Sequence, residues 1–323
     1  MTSKSRIVIT GVGGFVGQPL SRYLANQGHL VTGTVRKLAT DNTLASGVSV
    51  TETGDLESFE AWPELLVGVD AVIHLAARVH VMGENSTAAL EKYRKANVSV
   101  TENLLQASAA AGVRRFVFLS SVKAIGEGGV EAYREDTQPE PSDPYGISKL
   151  EAEQAVEAIR KETEIETVIL RLPLVYGPHV RANFLRLMKL VDRGFPLPLA
   201  SVRNSRSMIF IGNLVDALRI CLQHEQAAGE IFMVSDGEDF STPGLIKSIA
   251  GAMDRKPRLM ACPPMFLKLA GTLFGKGQVA QRILGSLRVD SSKIRSQLDW
   301  VPPYSATEGI AETVAWYQAS MAN

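Results

Sequence analysis

The feature that most constrains the fold is a run of glycines directly after the first apolar stretch. Residues 6–10 read RIVIT, which is typical of a buried strand, and residues 10–17 read TGVGGFVG. Gly11, Gly14 and Gly17 suit a tight turn, a close approach of backbone to a ligand, and close packing of a helix on a strand. A helix that begins here directs free N–H groups and the positive end of its dipole at phosphate. The pattern therefore predicts a strand–turn–helix that holds the pyrophosphate of a dinucleotide.

Apolar runs of strand length alternate with segments of helix length through the first half of the chain. Further strands are predicted at residues 29–35, 48–53, 71–76, 116–121 and 167–172. Helices are predicted between them. This alternation predicts an α/β fold, with a Rossmann-type doubly wound parallel sheet in residues 1–177. A smaller, mixed α/β lobe is expected in residues 178–323. Whether the segment near 206–236 belongs to this lobe or returns to the first domain stays open.

The composition of the chain narrows the possible partners. Its 323 residues carry 34 Lys or Arg and 34 Asp or Glu, so no excess of positive charge favours nucleic acid. The two cysteines, Cys221 and Cys262, lack the number and spacing of a disulfide framework or a metal site. No apolar run reaches the roughly 18 residues of a membrane span, and the N-terminus lacks the pattern of a signal peptide. We therefore expect a cytoplasmic protein without a metal or a membrane span.

One apolar stretch is too short to span a membrane but long enough to form a helix. Met265–Phe274 reads MFLKLAGTLF and is interrupted by Lys268. We predict a helix of the core here, and a helix lying on a membrane surface is the alternative.

The end of the second strand indicates which dinucleotide binds. A site for NAD usually has Asp or Glu about 20 residues beyond the glycines, where it accepts from the ribose 2′-hydroxyl. Residues 34–37 read TVRK instead, with no carboxylate and with Arg36 where a guanidinium suits a 2′-phosphate. The sequence thus favours NADP(H). NAD(H) is the alternative, in which Arg36 is a solvated surface residue.

A tyrosine and a lysine stand four residues apart at the start of a predicted helix. Tyr145 and Lys149 belong to YGISK, which follows the proline-rich segment PEPSDP. Residues at this spacing share one helical face. Because a nearby ammonium stabilises phenolate, we expect the pKa of Tyr145 to fall below its usual value of about 10. Such a tyrosine can transfer a proton near neutral pH.

These motifs and several others, in the same order, resemble the extended short-chain dehydrogenase/reductase family, also called the NAD-dependent epimerase/dehydratase family. Besides TGVGGFVG and YGISK, the chain carries GDL at 54–56, HLAA at 74–77, LSSVKAIG at 119–126 and RLPLVYGP at 171–178. The resemblance implies an NAD(P)-dependent enzyme with Ser121, Tyr145 and Lys149 as catalytic residues. Ser121 would hydrogen-bond the sugar oxygen at the reacting carbon and Tyr145 would exchange the proton. Lys149 would bind the nicotinamide ribose and tune the tyrosine.

The resemblance also implies which residues border the dinucleotide. They lie in the glycine turn, at the ends of the next three strands and on the helices that follow: Gly11, Gly13, Gly14, Phe15, Val16, Gly17, Arg36, Asp55, Leu56, Leu75, Ala76, Ala77, Arg78, Asn97, Tyr145 and Lys149. For Asn97 two interpretations stay open. It is either a polar residue that braces a helix or a support of catalysis.

The second lobe is implied to bind a nucleoside-diphosphate sugar, most often a UDP-sugar. By resemblance, Asn183 would contact the sugar diphosphate and Leu199 would lie at the edge of the base. Arg206 would pair with phosphate, for which a guanidinium is chemically suited. Arg282 is a second phosphate candidate.

The loop after Ser121 departs from the family pattern. Many members have Tyr where Ile125 stands, and dehydratases usually have an Asp–Glu pair where this chain has Val122 and Lys123, which disfavours dehydration. Two interpretations of Lys123 stay open: it contacts substrate, or it lies on the surface of the loop. For His80 the alternatives are contact with the sugar and an ordinary packed or surface position.

A narrower similarity is to bacterial enzymes of surface-polysaccharide synthesis. These enzymes resemble 4-keto reductases of UDP-6-deoxy-N-acetylhexosamines. We favour this reaction for the chain because a reductase must exchange its cofactor, and Arg36 suits NADPH, which can be exchanged. One alternative is a UDP-glucose or UDP-N-acetylglucosamine 4-epimerase that retains NAD. Another is a non-catalytic dinucleotide-sensing regulator, which the presence of Ser121, Tyr145 and Lys149 disfavours. The family further implies a homodimer through helices near Thr101 and Tyr145.

Overall fold

A parallel sheet forms the centre of the molecule, whose computed structural model describes residues 4–38, 47–79, 87–275 and 277–322. Seven strands make up this sheet: β1 (Arg6–Thr10), β2 (Leu30–Val35), β3 (Val48–Glu52), β4 (Ala71–His74), β5 (Arg115–Ser121), β6 (Glu166–Leu172) and β9 (Glu230–Met233). Their spatial order is β3-β2-β1-β4-β5-β6-β9. The predicted α/β class with a Rossmann-type parallel sheet is confirmed. The strand order reverses between β1 and β4, which in such sheets creates a ligand-binding crevice at the carboxyl ends of the strands.

The helices pack on both faces of the sheet or build the second lobe. Their bounds are α1 (Gly17–Asn26), α2 (Trp62–Leu65), α3 (Thr87–Tyr93), α4 (Val100–Ala110), α5 (Pro144–Glu162), α6 (Ala182–Asp192), α7 (Ile211–Gln223), α8 (Thr242–Ala252), α9 (Pro264–Leu273), α10 (Gly277–Leu284), α11 (Ser292–Gln297) and α12 (Ala306–Ala322). A π-helical turn, Arg94–Ser99, joins α3 to α4. Such turns are frequent at functional sites.

Side chains of the central strands enter two separate cores. Ile7 and Ile9 of β1 pack in the core that also contains Leu214 of α7. Val8, between them in the chain, packs in the other core with Leu104 of α4 and Val156 of α5. Successive strand residues point to opposite faces, so a strand buried on both faces must be apolar at every position. This requirement explains the continuous apolar runs of the sequence.

A second, smaller sheet lies in the later part of the chain. It contains β7 (Leu174–Tyr176), β8 (Arg206–Phe210) and β10 (Asp239–Phe240), in the order β10-β8-β7. β8 is parallel to β7 and antiparallel to β10. Although β9 follows β8 in the chain, it pairs with β6 of the large sheet. The chain therefore enters the second lobe, returns to the large sheet once, and leaves it again.

The prediction that the apolar run at 265–274 forms a core helix is wrong. The run forms α9, but none of the residues of this helix is buried. Met265 is 69% exposed and Leu273 is 74% exposed. A short apolar run has the same appearance in a core helix and in an exposed amphipathic one, so its sequence alone does not distinguish them. Among the described residues, no helix has both the length and the apolar character needed to cross a membrane.

A buried ion pair lies beneath the carboxyl end of β5. The guanidinium of Arg171 in β6 donates to the carboxylate of Glu153 in α5, with an Nη2–Oε2 distance of 2.8 Å. The two side chains are 5% and 4% exposed. Ser120 also donates its hydroxyl hydrogen to Glu153. These bonds connect β5, β6 and α5, so they fix the helix that carries Tyr145 against the strand that carries Ser121.

We expect Arg171→Met to lower the free energy of unfolding by about 3–5 kcal/mol, because it leaves the Glu153 carboxylate buried without its cation. Urea denaturation of the purified protein measures this loss. The double variant Glu153→Gln/Arg171→Met removes both charges and should lose less. A loss below about 1 kcal/mol for the single variant, the size typical of an exposed pair, would contradict the prediction.

Candidate active site

The glycine turn between β1 and α1 is packed as closely as its sequence predicts. Gly11 has a φ of +70°, and a Cβ there would lie 3.2 Å from the backbone nitrogen of Ala76. A Cβ on Gly17 would lie 2.4 Å from the carbonyl oxygen of Gly11. Gly13 and Gly14 are exposed between them. The turn thus offers bare backbone at the start of α1, which fits the phosphates of a dinucleotide. Phe15 and Val16, in the same turn, are partly buried.

The hydroxyl of Thr10 connects the end of β1 to the segment that follows β4. Its oxygen accepts from the N–H groups of Leu75 and Ala76, both at 3.1 Å. It also lies 2.7 Å from Nδ1 of His74. Burial, with the charge of Lys149 as a smaller cause, lowers the pKa of His74 to about 3. The imidazole is therefore neutral, and its role here is structural.

Asn97, in the π-helical turn, makes three hydrogen bonds. Its side-chain oxygen accepts from the N–H of Arg78 at 2.8 Å, and its amide nitrogen donates to the carbonyl of Arg78 at 3.1 Å and to Oγ of Ser148 at 2.9 Å. Of the two open interpretations, bracing is the one these contacts support. The brace joins α5 to the segment at 75–78, in which Leu75, Ala76, Ala77 and Arg78 are partly buried. Sequence reasoning missed Ser148.

The structure brings Ser121 and Tyr145 together. Ser121 ends β5 and Tyr145 is the second residue of α5, and the Ser121 side chain is close enough to the phenol to favour its ionised form. Burial nevertheless raises the pKa of Tyr145 to about 12, outweighing the opposite effect of Ser121, and the charge of Asp143 adds to the rise. The predicted lowering of the pKa of Tyr145 is therefore wrong for this structure. At neutral pH the phenol holds its proton.

Lys149 does not hydrogen-bond Tyr145. Its side chain is buried, and Nζ donates to the carbonyl oxygen of Leu119 at 2.5 Å. Nζ also lies 4.1 Å from the centre of the Phe118 ring. Burial lowers the pKa of Lys149 to about 7, although the carboxylate of Glu153 opposes the shift. The tyrosine therefore lacks the ammonium partner that was expected to lower its pKa, and this absence accounts for the failed prediction.

Lys123 is held by two carboxylates. Its ammonium donates to Glu127 at 2.7 Å and to Asp143. Asp143 also caps α5 by accepting from the N–H of Gly146 at 2.7 Å. Burial pushes the pKa of Asp143 upward, but the bonds from Lys123 and Gly146 outweigh it and hold the pKa below its usual value. Lys123 thereby ties the loop after Ser121 to the start of α5. Asp143 was missed, although Asp before a proline-started helix is a capping signal.

The adenosine edge of the predicted site contains exposed charges of both signs. Arg36 follows β2 directly and is exposed, as is Asp55, whereas Leu56 is partly buried. Glu52 stands opposite Val35 at the end of β3 and accepts from the N–H of Leu38 at 3.0 Å. A carboxylate therefore lies beside the Arg36 segment, supplied by the neighbouring strand rather than by β2. Sequence reasoning missed it because the pairing of β2 with β3 is a tertiary property.

The second lobe brings the two predicted phosphate-binding arginines near each other. Nη1 of Arg206, at the start of β8, donates to the carbonyls of Arg282 and Gly285 at 3.0 and 3.1 Å. Burial, followed by the charge of Arg282, lowers the pKa of Arg206. A cleft of about 860 Å³ lies beside them, lined in part by Ser205, Gly285 and the loop at 127–130.

The remaining predicted substrate residues are less informative. Asn183 is the second residue of α6 and is exposed. Leu199 is partly buried against the core that also contains Ile7 and Ile9. His80 lies outside the described residues. Groups of three or more His, Cys, Asp or Glu that could hold a metal ion are absent from the described part of the chain.

The fold and this site define a dinucleotide-binding α/β protein with a serine–tyrosine pair at a strand end. The chain belongs to the NAD dependent epimerase/dehydratase family, whose model matches residues 7–235. It is 38% identical over 319 residues to the UDP-glucose 4-epimerase of Vibrio cholerae, covering 97% of this chain and 96% of the relative.

Two more distant similarities agree with this membership. The N-acetyl-alpha-D-glucosaminyl-diphospho-ditrans,octacis-undecaprenol 4-epimerase of Escherichia coli O157:H7 is 25% identical over 284 residues, covering 83% of each protein. Among solved structures, MoeE5 in complex with UDP-glucose and NAD is 27% identical with a TM-score of 0.79, covering 98% of this chain and 99% of that one. The chain is thus an enzyme of this NAD-dependent family, and its similarity to these relatives covers most of its length.

We expect Gly17→Ala to weaken dinucleotide binding by about tenfold or more, because the added Cβ overlaps backbone and forces strain of about 1–3 kcal/mol. Fluorescence titration with the dinucleotide measures the affinity. Gly251→Ala is the matched control, since its Cβ meets no atom within 4 Å in α8. Equal affinities of the two variants would count against a backbone cradle at this turn.

Proposed function

We propose that the protein is a UDP-sugar 4-epimerase that keeps NAD bound through its catalytic cycle. The observation that carries the proposal is the proximity of Ser121, at the carboxyl end of β5, to Tyr145 at the start of α5. In family members this is the place where a sugar oxygen gains or loses a proton. The activity named for the Vibrio cholerae relative supports the choice of reaction.

The proposed chemistry divides between the cofactor and the chain. When bound, the nicotinamide supplies a hydride acceptor in its oxidised form and a hydride donor in its reduced form. Ser121 binds the oxygen at C4 of the sugar and holds it beside the Tyr145 hydroxyl. The C4 hydroxyl gives its proton to the phenolate of Tyr145 as its carbon gives up a hydride. After the sugar has presented its other face, the phenol returns the proton to the 4-keto oxygen as C4 takes a hydride back.

The raised pKa of Tyr145 suits the second half of this cycle. A phenol with a pKa of about 12 is protonated at neutral pH and can donate to a ketone oxygen. The first half requires phenolate, so a positive charge must approach Tyr145 before it accepts a proton. Lys149 is a candidate from the chain, one helical turn further along α5. To act on Tyr145, its ammonium would have to leave the carbonyl of Leu119.

We propose that Arg206 and Arg282 hold the diphosphate of the substrate. Their charges are close enough for Arg282 to lower the pKa of Arg206. Two converging cations are suited to a group that carries two negative charges. The adjacent cleft of about 860 Å³ is large enough for a ligand of this class. Contact of Asn183 with the sugar diphosphate and of Leu199 with the base stay predictions.

The homodimer, the domain boundary near residue 177 and the cytoplasmic location also stay predictions.

A 4-keto reductase that uses NADPH is the second candidate, and Arg36 is the observation that favours it. An exposed guanidinium directly after β2 suits a 2′-phosphate. Glu52 favours the epimerase instead, because its carboxylate lies beside the same segment and repels a phosphate. We therefore give precedence to NAD over the NADP(H) expected from the sequence.

Tyr145→Phe should lower kcat for interconversion of UDP-glucose and UDP-galactose by about 10²–10⁴-fold, because it removes the proton carrier. A coupled spectrophotometric assay measures the rate. Tyr93→Phe is the matched control: its ring centroid lies 6.2 Å from that of Tyr145, and its hydroxyl donates to the carbonyl of Val79. Full turnover by Tyr145→Phe would exclude the proposed mechanism.

The dinucleotide released by denaturing the purified protein should be NAD, and Arg36→Ala should leave epimerase activity close to its original level. Liquid chromatography identifies the dinucleotide. If the protein is a reductase instead, Arg36→Ala should weaken NADPH binding about 10- to 100-fold, the effect of losing a charged hydrogen bond. Oxidation of NADPH that depends on a UDP-4-ketosugar, without epimerisation, would establish that second function in place of the first.

A further inference from the structure

The segment at 255–289 has an unusual charge for this chain. It contains seven Lys or Arg and no Asp or Glu, whereas the whole chain has 34 residues of each sign. Lys256, Arg258 and Lys268 are all exposed. In the part of the chain that the structure describes, none of these three has an ion-pair partner. These three cations therefore make this part of the surface positive, whereas Arg255 is paired with Asp192 at 3.4 Å.

The same segment exposes large apolar side chains. α9 carries Met265, Phe266, Leu269 and Leu273, which are 69%, 55%, 57% and 74% exposed, and Phe274 follows at 78%. Met265, Leu269 and Leu273 are spaced four apart and so share one side of the helix. Scattered exposed leucines are ordinary, but a continuous exposed patch marks an interaction surface.

We propose that α9 docks on the surface of a membrane that contains anionic lipids. An interfacial helix places apolar side chains among the acyl chains while basic residues bind anionic headgroups. The exposed apolar side of α9 and the uncompensated cations around it meet both requirements. With ten residues, α9 is about 15 Å long, so it would lie on the bilayer rather than cross it.

Charge decides between a membrane and a second copy of the chain. A twofold symmetric dimer through this surface would bring the same patch of each subunit face to face. Lys256, Arg258 and Lys268 would then face their own copies, and the segment contains no acidic residue to pair with them. An anionic bilayer supplies the opposite charge over the whole patch. The electrostatics therefore favour lipid over self-association.

Docking at α9 would also orient the candidate substrate site. α10 packs against α9 and carries Arg282, whose carbonyl accepts from Arg206. Met260, 54% exposed, accepts from the N–H of Ala200 and thus lies beside the segment that contains Leu199. The docked surface thus adjoins the proposed diphosphate site. The inference itself concerns lipid binding and does not depend on the reaction catalysed.

Sedimentation of the intact protein with lipid vesicles tests the proposal. We expect binding to vesicles of phosphatidylcholine mixed with phosphatidylglycerol, weaker binding to phosphatidylcholine alone, and loss of binding in high salt. Leu269→Ser/Leu273→Ser should weaken the partition constant at least about tenfold, because two apolar side chains no longer enter the bilayer. Lys256→Glu/Arg258→Glu should weaken binding to the anionic vesicles and leave binding to phosphatidylcholine alone unchanged.

The matched control is Val67→Ser/Val301→Ser, which alters two side chains that are 71% and 74% exposed outside the segment and should bind as the native protein does. Circular dichroism and thermal unfolding verify that each variant is folded. Two results would overturn the proposal. One is failure of the native protein to bind anionic vesicles. The other is a dimer, seen by analytical ultracentrifugation, that Leu269→Ser/Leu273→Ser dissociates.

Discussion

The arrangement of the site depends on the hydroxyl of Thr10, which ties the end of β1 to the segment after β4. That oxygen accepts from two consecutive backbone N–H groups, which ties the segment at 75–78 to the end of β1, next to the glycine turn. Asn97 binds the far end of the same segment and also Ser148. Through these contacts, the turn that fits phosphate and the helix that carries Tyr145 share one hydrogen-bonded frame.

This frame explains why the buried polar groups near the site have unusual protonation. Lys149 lies among carbonyl and aromatic groups in a region with little water, where a charged ammonium is disfavoured. The neutral His74 lies nearby, and the positive charge of Lys149 contributes to its low pKa. Glu153 opposes the shift of Lys149 but is itself committed to Arg171. In this arrangement burial, and to a lesser degree the charge of Asp143, raises the pKa of Tyr145.

The strands and the glycine turn could be predicted because each follows from local pattern, whereas Ser121 and Tyr145 were assigned to one site by the family resemblance. A strand buried on both faces requires an apolar run, and parallel strands end at one edge of the sheet. Hydrogen-bond partners could not be predicted, because they depend on residues distant in sequence. Lys149 reaches Leu119 and Lys123 reaches Asp143, neither of which the spacing of YGISK reveals. The exposure of α9 was missed for the same reason, since burial is decided by neighbouring elements.

The choice between the two candidate reactions rests on two exposed groups at the far end of the dinucleotide. Arg36 attracts a 2′-phosphate, and Glu52, brought beside that segment by the pairing of β2 with β3, opposes it. An epimerase gains from holding its cofactor through both hydride transfers, whereas a reductase must release it after each one. A glycine turn that fits a pyrophosphate and a carboxylate that opposes a 2′-phosphate are therefore consistent with the retained NAD that we propose. The reaction at C4 would then follow from electrostatics at the adenosine end of the cofactor, because Ser121 and Tyr145 serve either reaction equally.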